Sequence, residues 1–147
     1  MYRNNYNGNG NILIMAHYAL IDDDNKVIQV IVGIDENENP NAEEMYSQMF
    51  GCRCKRTSYN TRNGKHFSDE TGKWSKARQF RGNFAGIGMI YDDDLDVFYD
   101  EKPHESWIFD DGTYTWNAPI PYPKDGGAYE WNEPEQKWDL IEADQTA

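Results

Sequence analysis

The sequence lacks any long hydrophobic run. None of its apolar stretches approaches the eighteen or so consecutive apolar residues that a membrane-spanning helix needs. The first residues, MYRNNYNGNG, also lack the charged and then apolar pattern of a secretory signal. We therefore expect a soluble protein that is made in a cytoplasm and has no membrane partner.

Positive charge is scarce, with 14 Lys and Arg against 26 Asp and Glu, a net charge of −12 and an isoelectric point near 4.5. Most of such a surface repels a polyanion, so the composition argues against nucleic-acid binding. The few cations are concentrated, because residues 53–81 hold nine Lys and Arg but two acids, a net charge of +7. This basic segment is either a solvated loop or one of two opposite-sign patches that meet between subunits.

Cysteine and histidine are also rare. Cys52 and Cys54 lie two residues apart in a predicted strand, too far for relaxed disulfide geometry, so two free thiols are expected. The three histidines, His17, His66 and His104, have no paired ligand spacing, and the short Asp clusters fit turns better than a calcium loop. The sequence predicts no metal site and no cofactor.

No local signature of an enzyme is present. No Ser or Cys is accompanied by a His and a carboxylate in a recognisable arrangement. Whether two carboxylates come together for glycoside hydrolysis depends on the fold, which sets their separation. The prediction is a protein that acts by binding and without catalysis.

The sequence contains many turn signals between short apolar segments. Residues 22–25 separate two β-rich stretches, and similar Asp or Asn turns recur at 63–64, 92–96, 111–112 and 132–136. This pattern predicts a mainly β, small single domain of successive antiparallel hairpins. One short helix is expected at about residues 40–50, where Ala42, Met45 and Met49 form one stripe before a stop at Gly51.

Two regions differ from the rest in composition. Residues 1–14 are rich in Asn, Gly and Tyr and are predicted to be an N-terminal arm or extension before a β-rich domain of residues 15–147. Residues 104–142 form a Trp- and Tyr-rich pair of hairpins, in which YTWNAP is repeated as YEWNEP. The two rings of each repeat point to one strand face, which predicts stacked hairpins that share one small aromatic core.

The tryptophans of these hairpins have two possible roles. Core or cross-strand packing is the main prediction for Trp107, Trp116, Trp131 and Trp138. The alternative is an exposed platform, formed by Trp116 and Trp131, that stacks on sugar rings or on a protein client.

A glycine-rich stretch, FRGNFAGIGMIYD, lacks the Lys-Ser/Thr ending of a phosphate-binding loop. Its glycines instead indicate a tight bend or a close backbone approach. We expect Arg81 and Asn83 to anchor that bend through hydrogen bonds.

Four ordered motifs resemble a known family. CKRTSYNTRNGKH, RGNFAGIGMIYD, SWIFDDGTYTWNAPIPYP and YEWNEPEQKWDLIE together resemble small, mostly uncharacterised or virion-associated proteins of marine tailed bacteriophages of the cyanophage type. The resemblance runs from Met15 to Ile141 and excludes residues 1–14. It implies a phage protein that is made in the host cytoplasm and located in the virion, and it transfers no catalytic residue.

This resemblance implies a structural protein of the virion, either a capsid decoration or cement protein or an accessory of the tail or fibre. Its partners would be other virion proteins or further copies of itself, joined where basic and acidic surfaces meet. The basic residues expected in that contact are Arg53, Lys55, Arg56, Arg62 and Lys65. The acidic residues, expected on another subunit, are Asp92, Asp93 and Asp94.

Two alternatives remain open at this point. The first is a tail-fibre assembly chaperone that leaves before the virion is complete. The second is a host-glycan binding module that uses Trp116 and Trp131.

Overall fold

The computed structural model describes residues 15–142 together with the backbone of β1 (Asn5–Tyr6) and β2 (Ile12–Leu13), which pair antiparallel. Most of the predicted N-terminal arm therefore lies outside the described residues. The fold is a single small domain, mainly β, built from antiparallel hairpins with one α-helix, and this confirms the predicted fold class.

A three-stranded antiparallel sheet forms the centre of the domain. Its order is β4 (Val27–Ile34), β3 (Met15–Ile21) and β5 (Arg53–Thr57), with β3 in the middle. Side chains on both faces of β3 are buried, which explains why its sequence, MAHYALI, is apolar without a clear alternation. The turn to β4 is closed by Asp22, whose Oδ1 accepts hydrogen bonds from the backbone N–H groups of Asp24 and Lys26.

Helix α1 (Ala42–Phe50) covers one face of this sheet and ends at Gly51, whose φ is 72°. The helix was predicted, but its buried stripe differs in one position, because Met49 is 65% exposed. Tyr46 is buried instead, one turn after Ala42, and its ring packs 5.1 Å from that of Tyr18. No helix in the described part of the chain is long and apolar enough to cross a membrane.

A hairpin of β9 (Ile90–Asp92) and β10 (Val97–Tyr99) covers the other face of the sheet. Phe98 and Tyr91 pack there with Ala19, Ile21 and Val27 in a second buried cluster. The sheet is therefore buried on both faces, by the helix on one side and by the hairpin on the other.

The glycine-rich bend of residues 81–89 leads into this hairpin. Asn83 Nδ2 donates hydrogen bonds to the carbonyls of Phe98 (2.8 Å) and Tyr114 (3.0 Å), and its Oδ1 accepts one from the N–H of Asn63. Arg81 donates to Glu43 and to the carbonyl of Arg56, both at 2.9 Å. These bonds confirm the prediction that Arg81 and Asn83 anchor the bend.

A second three-stranded sheet has the order β6 (Thr61–Arg62), β7 (Lys65–Ser68) and β8 (Lys73–Ser75), followed by a short 3₁₀ helix (Lys76–Arg78). The predicted Asn63-Gly64 turn joins β6 to β7, and both residues have positive φ, 51° and 72°. We call this sheet the basic sheet.

Two further hairpins occupy the C-terminal third, as predicted for residues 104–142. They are β11 (Ile108–Asp110) with β12 (Thr115–Asn117), and β13 (Tyr129–Asn132) with β14 (Lys137–Leu140). Cross-strand aromatic pairing is confirmed: Trp131 lies opposite Trp138, and Trp116 lies opposite Phe109.

The prediction that the two hairpins share one aromatic core is wrong, because the two repeats belong to separate clusters. Trp116 packs with Phe109 and with Tyr99 of β10, whereas Trp131 packs with Trp138 and with Trp107. The reason is that the first hairpin docks on β10 and the second folds back onto the segment before β11. All four tryptophans of these clusters are half-buried.

A candidate binding face on the basic sheet

The cations of the described residues fall into two groups. Six have an ion pair within the chain: Lys26, Arg53, Arg56, Arg81, Lys102 and Lys137. The other seven have no ion pair with another described residue: Lys55, Arg62, Lys65, Lys73, Lys76, Arg78 and Lys124. Five of those seven lie between residues 62 and 78, so the unneutralised positive charge is concentrated on the basic sheet and the 3₁₀ helix after it.

Arg53 and Asp93, which were predicted to lie on different subunits, pair within one chain. Arg53 Nη2 lies 2.6 Å from Asp93 Oδ1, and Arg53 Nη1 also donates to Asn25 Oδ1 at 2.8 Å. The hydrogen bond from Arg53 lowers the pKa of Asp93 below its ordinary value. The two residues meet within one chain because the β9–β10 hairpin packs on the central sheet. This packing brings the turn of the hairpin beside the start of β5.

Other residues of the predicted contact are also engaged within the chain. Arg56 pairs with the buried Asp35 at 3.3 Å, and the Lys55 ammonium lies 5.8 Å from the centre of the Tyr91 ring. Asp92 caps its own turn, because its Oδ1 accepts from the N–H groups of residues 94 and 95. Asp94 is exposed. Arg62 and Lys65 are the predicted cations that remain available on the basic sheet.

The strand register places Arg62 and Lys65 on one face of that sheet. Arg62 lies opposite Lys65, and Phe67 lies opposite Trp74. Because Lys65 and Phe67 are two residues apart on β7, all four side chains share one face, which we call the outer face. The opposite face contains the fully buried Thr61, whose Oγ1 accepts a hydrogen bond from the N–H of Phe80.

The outer face contains an open pocket of about 270 Å³ that is lined by Arg62, Asn63, Lys65 and Trp74. Trp74 is 51% exposed, and its ring lies 5.2 Å from that of Phe67 at an angle of 54°. The polar groups of Arg62, Lys65 and Trp74 are hydrogen-bond donors only. The pocket therefore combines two cations with a flat apolar ring and suits a ligand that is anionic and rich in acceptors.

Sequence reasoning missed the aromatic part of this face. Strand β8 and Trp74 were not assigned, although Lys65 and Phe67 alternate as strand residues and Gly72, with φ of 67°, signals a turn before Trp74. A hairpin across that turn would have placed Trp74 opposite Phe67.

Trp116 and Trp131, the platform considered from sequence, do not lie together. Trp116 Nε1 donates to the carbonyl of Asp100 at 2.7 Å, and Lys102 lies over its ring. Trp131 Nε1 donates to Glu133 at 2.6 Å. Each ring packs in its own cluster, so they form no common surface.

The cysteines are free thiols, as expected. Cys54 is buried in the helix-side core, and this burial raises the pKa of its thiol to about 12, so the thiolate is scarce at neutral pH. Among residues 15–142, no three His, Cys, Asp or Glu side chains are grouped so that they could hold a metal ion.

Comparison with family models, with curated proteins and with solved structures finds no match to this chain. The outer face of the basic sheet is therefore the structural feature from which a function is best inferred.

Proposed function

We propose that this protein is a non-enzymatic structural protein of a bacteriophage virion, either a capsid decoration or cement protein or an accessory of the tail or fibre. It binds an acidic surface of a neighbouring virion protein through the outer face of the basic sheet. The observation that carries this proposal is the concentration, at residues 62–78 of a chain whose net charge is −12, of cations that form no ion pair with another described residue. The resemblance of residues 15–141 to virion-associated phage proteins supports the phage setting.

Electrostatics favours a heterologous contact. Cations that have no ion-pair partner in the described part of the chain gain the most when an acidic surface approaches them, and the rest of this chain is acidic. A contact between two different surfaces can be repeated over a symmetric shell or tube. The acidic partner is therefore another virion protein or the acidic part of a further copy.

The first test is quantitative mass spectrometry of purified virions, with this protein scaled against the major capsid subunit. Hundreds of copies would indicate capsid decoration, whereas a few to a few dozen would indicate the tail, neck or fibre. Absence from virions, with abundance in infected lysate, would overturn the structural role and favour an assembly chaperone.

The second test asks whether the outer face makes the contact. Lys65→Glu and Lys124→Glu each reverse one exposed cation that has no described ion-pair partner, but Lys124 lies outside the basic sheet. Binding of each variant to virions that lack the protein is measured by co-sedimentation over a range of salt concentrations. We expect Lys65→Glu to bind more weakly and with a smaller salt dependence, while Lys124→Glu binds as the parent does. Equal binding by both variants would rule out the outer face.

The pocket beside Trp74 favours a second candidate function, the binding of an acidic sugar on the host surface. Sugar rings stack on exposed tryptophan, and a carboxylate or sulfate accepts hydrogen bonds from Arg62 and Lys65. In affinity electrophoresis through a gel that contains alginate, Trp74→Ala should lose the retardation shown by the parent protein. Trp116→Ala serves as the comparison, and a neutral glucan gel shows whether the acid group is needed. Unretarded parent protein would reject this candidate.

A further inference from the structure

Strand β4 lies at the edge of the central sheet, and its sequence, VIQVIVGI, contains no charged residue. Edge strands expose backbone N–H and C=O groups that can pair with another strand, so proteins usually shield them with charge, proline or a covering segment. The question is whether β4 has such protection.

The hydrogen bonds of Ile34 show which β4 backbone groups face outward. Its N–H donates to the hydroxyl of Tyr46 (2.9 Å), and its carbonyl accepts from the hydroxyl of Tyr18 (2.6 Å), so neither group bonds to β3. Alternate residues of an antiparallel strand point the same way. Val32 and Val30 therefore also direct their N–H and C=O groups away from β3, where no other described residue bonds to them.

The opposite edge of the same sheet is covered at Arg56 of β5. Its N–H donates to Glu43 of α1 at 2.7 Å, and its carbonyl accepts from Arg81 Nη1 at 2.9 Å. At the start of β4, the outward N–H and C=O of Val27 bond to Met89 and Gly88, both at 2.8 Å. The open part of the sheet edge is thus limited to residues 28–33.

Apolar side chains accompany this open backbone. Ile28 is 48% exposed, Val32 is 57% exposed and Ile34 is 36% exposed. The only irregularity in the β3–β4 pairing is a bulge beside Ile28, at the beginning of the open stretch. The edge is therefore regular and uncharged from Gln29 to Ile34, and Gln29 is its one polar side chain in this stretch.

We propose that residues 29–33 pair antiparallel with the same residues of a second copy about a two-fold axis at Ile31. Val30 of one copy then lies opposite Val32 of the other, and the two pairs exchange four backbone hydrogen bonds. The two central sheets become one sheet of six strands. This inference stands apart from the proposed virion function, because it uses neither the basic sheet nor the phage resemblance.

Charge and symmetry favour a second copy as the partner. Two chains of net charge −12 repel each other, but the absence of charge in β4 means that the pairing places no like charges directly opposite. An isologous contact also satisfies the outward groups of both copies at once.

The test is sedimentation velocity of the full chain over a wide range of protein concentration, compared with two variants. The parent should reach twice the monomer mass of 17.1 kDa. Val32→Lys places a charge at the two-fold contact and should give a monomer at every concentration. Ile87→Lys introduces the same charge at an apolar residue that is 75% exposed outside β4, and it should remain dimeric.

Hydrogen exchange locates the contact independently of the mutation. The amides of Val30 and Val32 should exchange slowly in the parent dimer and rapidly in Val32→Lys, whereas the amide of Ile31, which faces β3, should be slow in both. A parent protein that is monomeric at all concentrations would overturn the proposal, as would a dimer in which Val30 and Val32 exchange rapidly. Protection of these amides only within the virion would also overturn it, because the strand that pairs with β4 would then belong to another protein.

Discussion

Gly82 illustrates how a single residue supports the fold. Its φ is 75°, a conformation that residues with a Cβ rarely adopt, and an added Cβ would lie 2.8 Å from Cδ2 of Tyr114 and 3.1 Å from Cβ of Val97. Strain and overlap each cost about 1–3 kcal/mol in comparable sites. We expect Gly82→Ala to lower the free energy of unfolding by about 2–4 kcal/mol, as measured by urea denaturation.

Gly86→Ala is the matched control for that change. Gly86 lies four residues further along the same bend, its φ is not in the left-handed region, and its nearest neighbour to an added Cβ is Met89 Sδ at 3.5 Å. The free energy of unfolding of this variant should therefore lie within about 1 kcal/mol of that of the parent. A similar loss in both variants would mean that the bend tolerates no side chain and that the contact with Tyr114 is not the cause.

The two cysteines should differ in reactivity. Cys54 is buried, and this burial raises the pKa of its thiol to about 12. Cys52 is only half-buried. At pH 8 a thiol reagent should label one cysteine quickly and the second only on the timescale of unfolding. Cys52→Ser should remove the fast phase and leave the slow one. Fast labelling of both thiols in the native protein would contradict the burial of Cys54.

At the scale of elements, Glu133 connects the last hairpin to the segment before β11. Its carboxylate accepts hydrogen bonds from the N–H and hydroxyl of Ser106 and from Trp131 Nε1. The bonds from Ser106 and Trp131 lower the pKa of Glu133 below its ordinary value of 4.5. A carboxyl whose pKa is lower in the folded state stabilises that state above its unfolded pKa, and this contribution is lost as the pH falls through the folded pKa.

Acid should therefore loosen the β13–β14 hairpin before the central sheet unfolds. Tryptophan fluorescence, recorded while the pH is lowered from 6, should change below about pH 4.5, where the unfolded form of Glu133 begins to bind a proton. Glu133→Gln lacks the titrating group, so its hairpin should be weaker at neutral pH and should lose that part of the pH response. An unchanged pH profile in Glu133→Gln would assign the transition to other carboxylates.

Turns and helix ends that depend on a few neighbouring residues could be predicted from the sequence. The Asn63-Gly64 turn and the helix stop at Gly51 depend on backbone conformations that few residue types accept, so short motifs predict them. Strand β8 was missed because its turn, residues 69–72, resembles a solvated loop in composition.

Arrangements set by packing between distant elements could not be predicted. The pairing of Arg53 with Asp93 joins residues forty positions apart, and it forms only because β9 and β10 pack on the central sheet. The two aromatic repeats likewise look equivalent, but Trp116 meets Tyr99 and Trp131 meets Trp107. Local pattern specifies which rings share a strand face and leaves open which element covers that face.

At the scale of the whole molecule, internal ion pairs decide where the free positive charge lies. The basic segment begins at Arg53, yet Arg53, Arg56 and Arg81 are neutralised by acids of the segment after β4, the helix and the β9–β10 turn. Most of the exposed cations that have no ion pair with a described residue are on the basic sheet and the 3₁₀ helix after it, while the open edge of β4 is uncharged. The molecule thus presents two surfaces that bind through different forces. The basic sheet offers exposed charge, and the edge of β4 offers backbone hydrogen bonds and apolar contact.

These two surfaces should respond to salt in opposite ways. Contact through the basic sheet depends on exposed charges, so raising NaCl from about 0.05 M to about 1 M shortens the Debye length from over 10 Å to about 3 Å and should release the protein from its acidic partner. Pairing through β4 depends on backbone hydrogen bonds and apolar contact, and it is opposed by the repulsion between two chains of charge −12. Salt screens that repulsion, so the dimer should persist or strengthen in the same range when followed by sedimentation velocity. If salt instead dissociates the dimer, the copies are held by basic and acidic surfaces, and Lys65→Glu rather than Val32→Lys should produce the monomer.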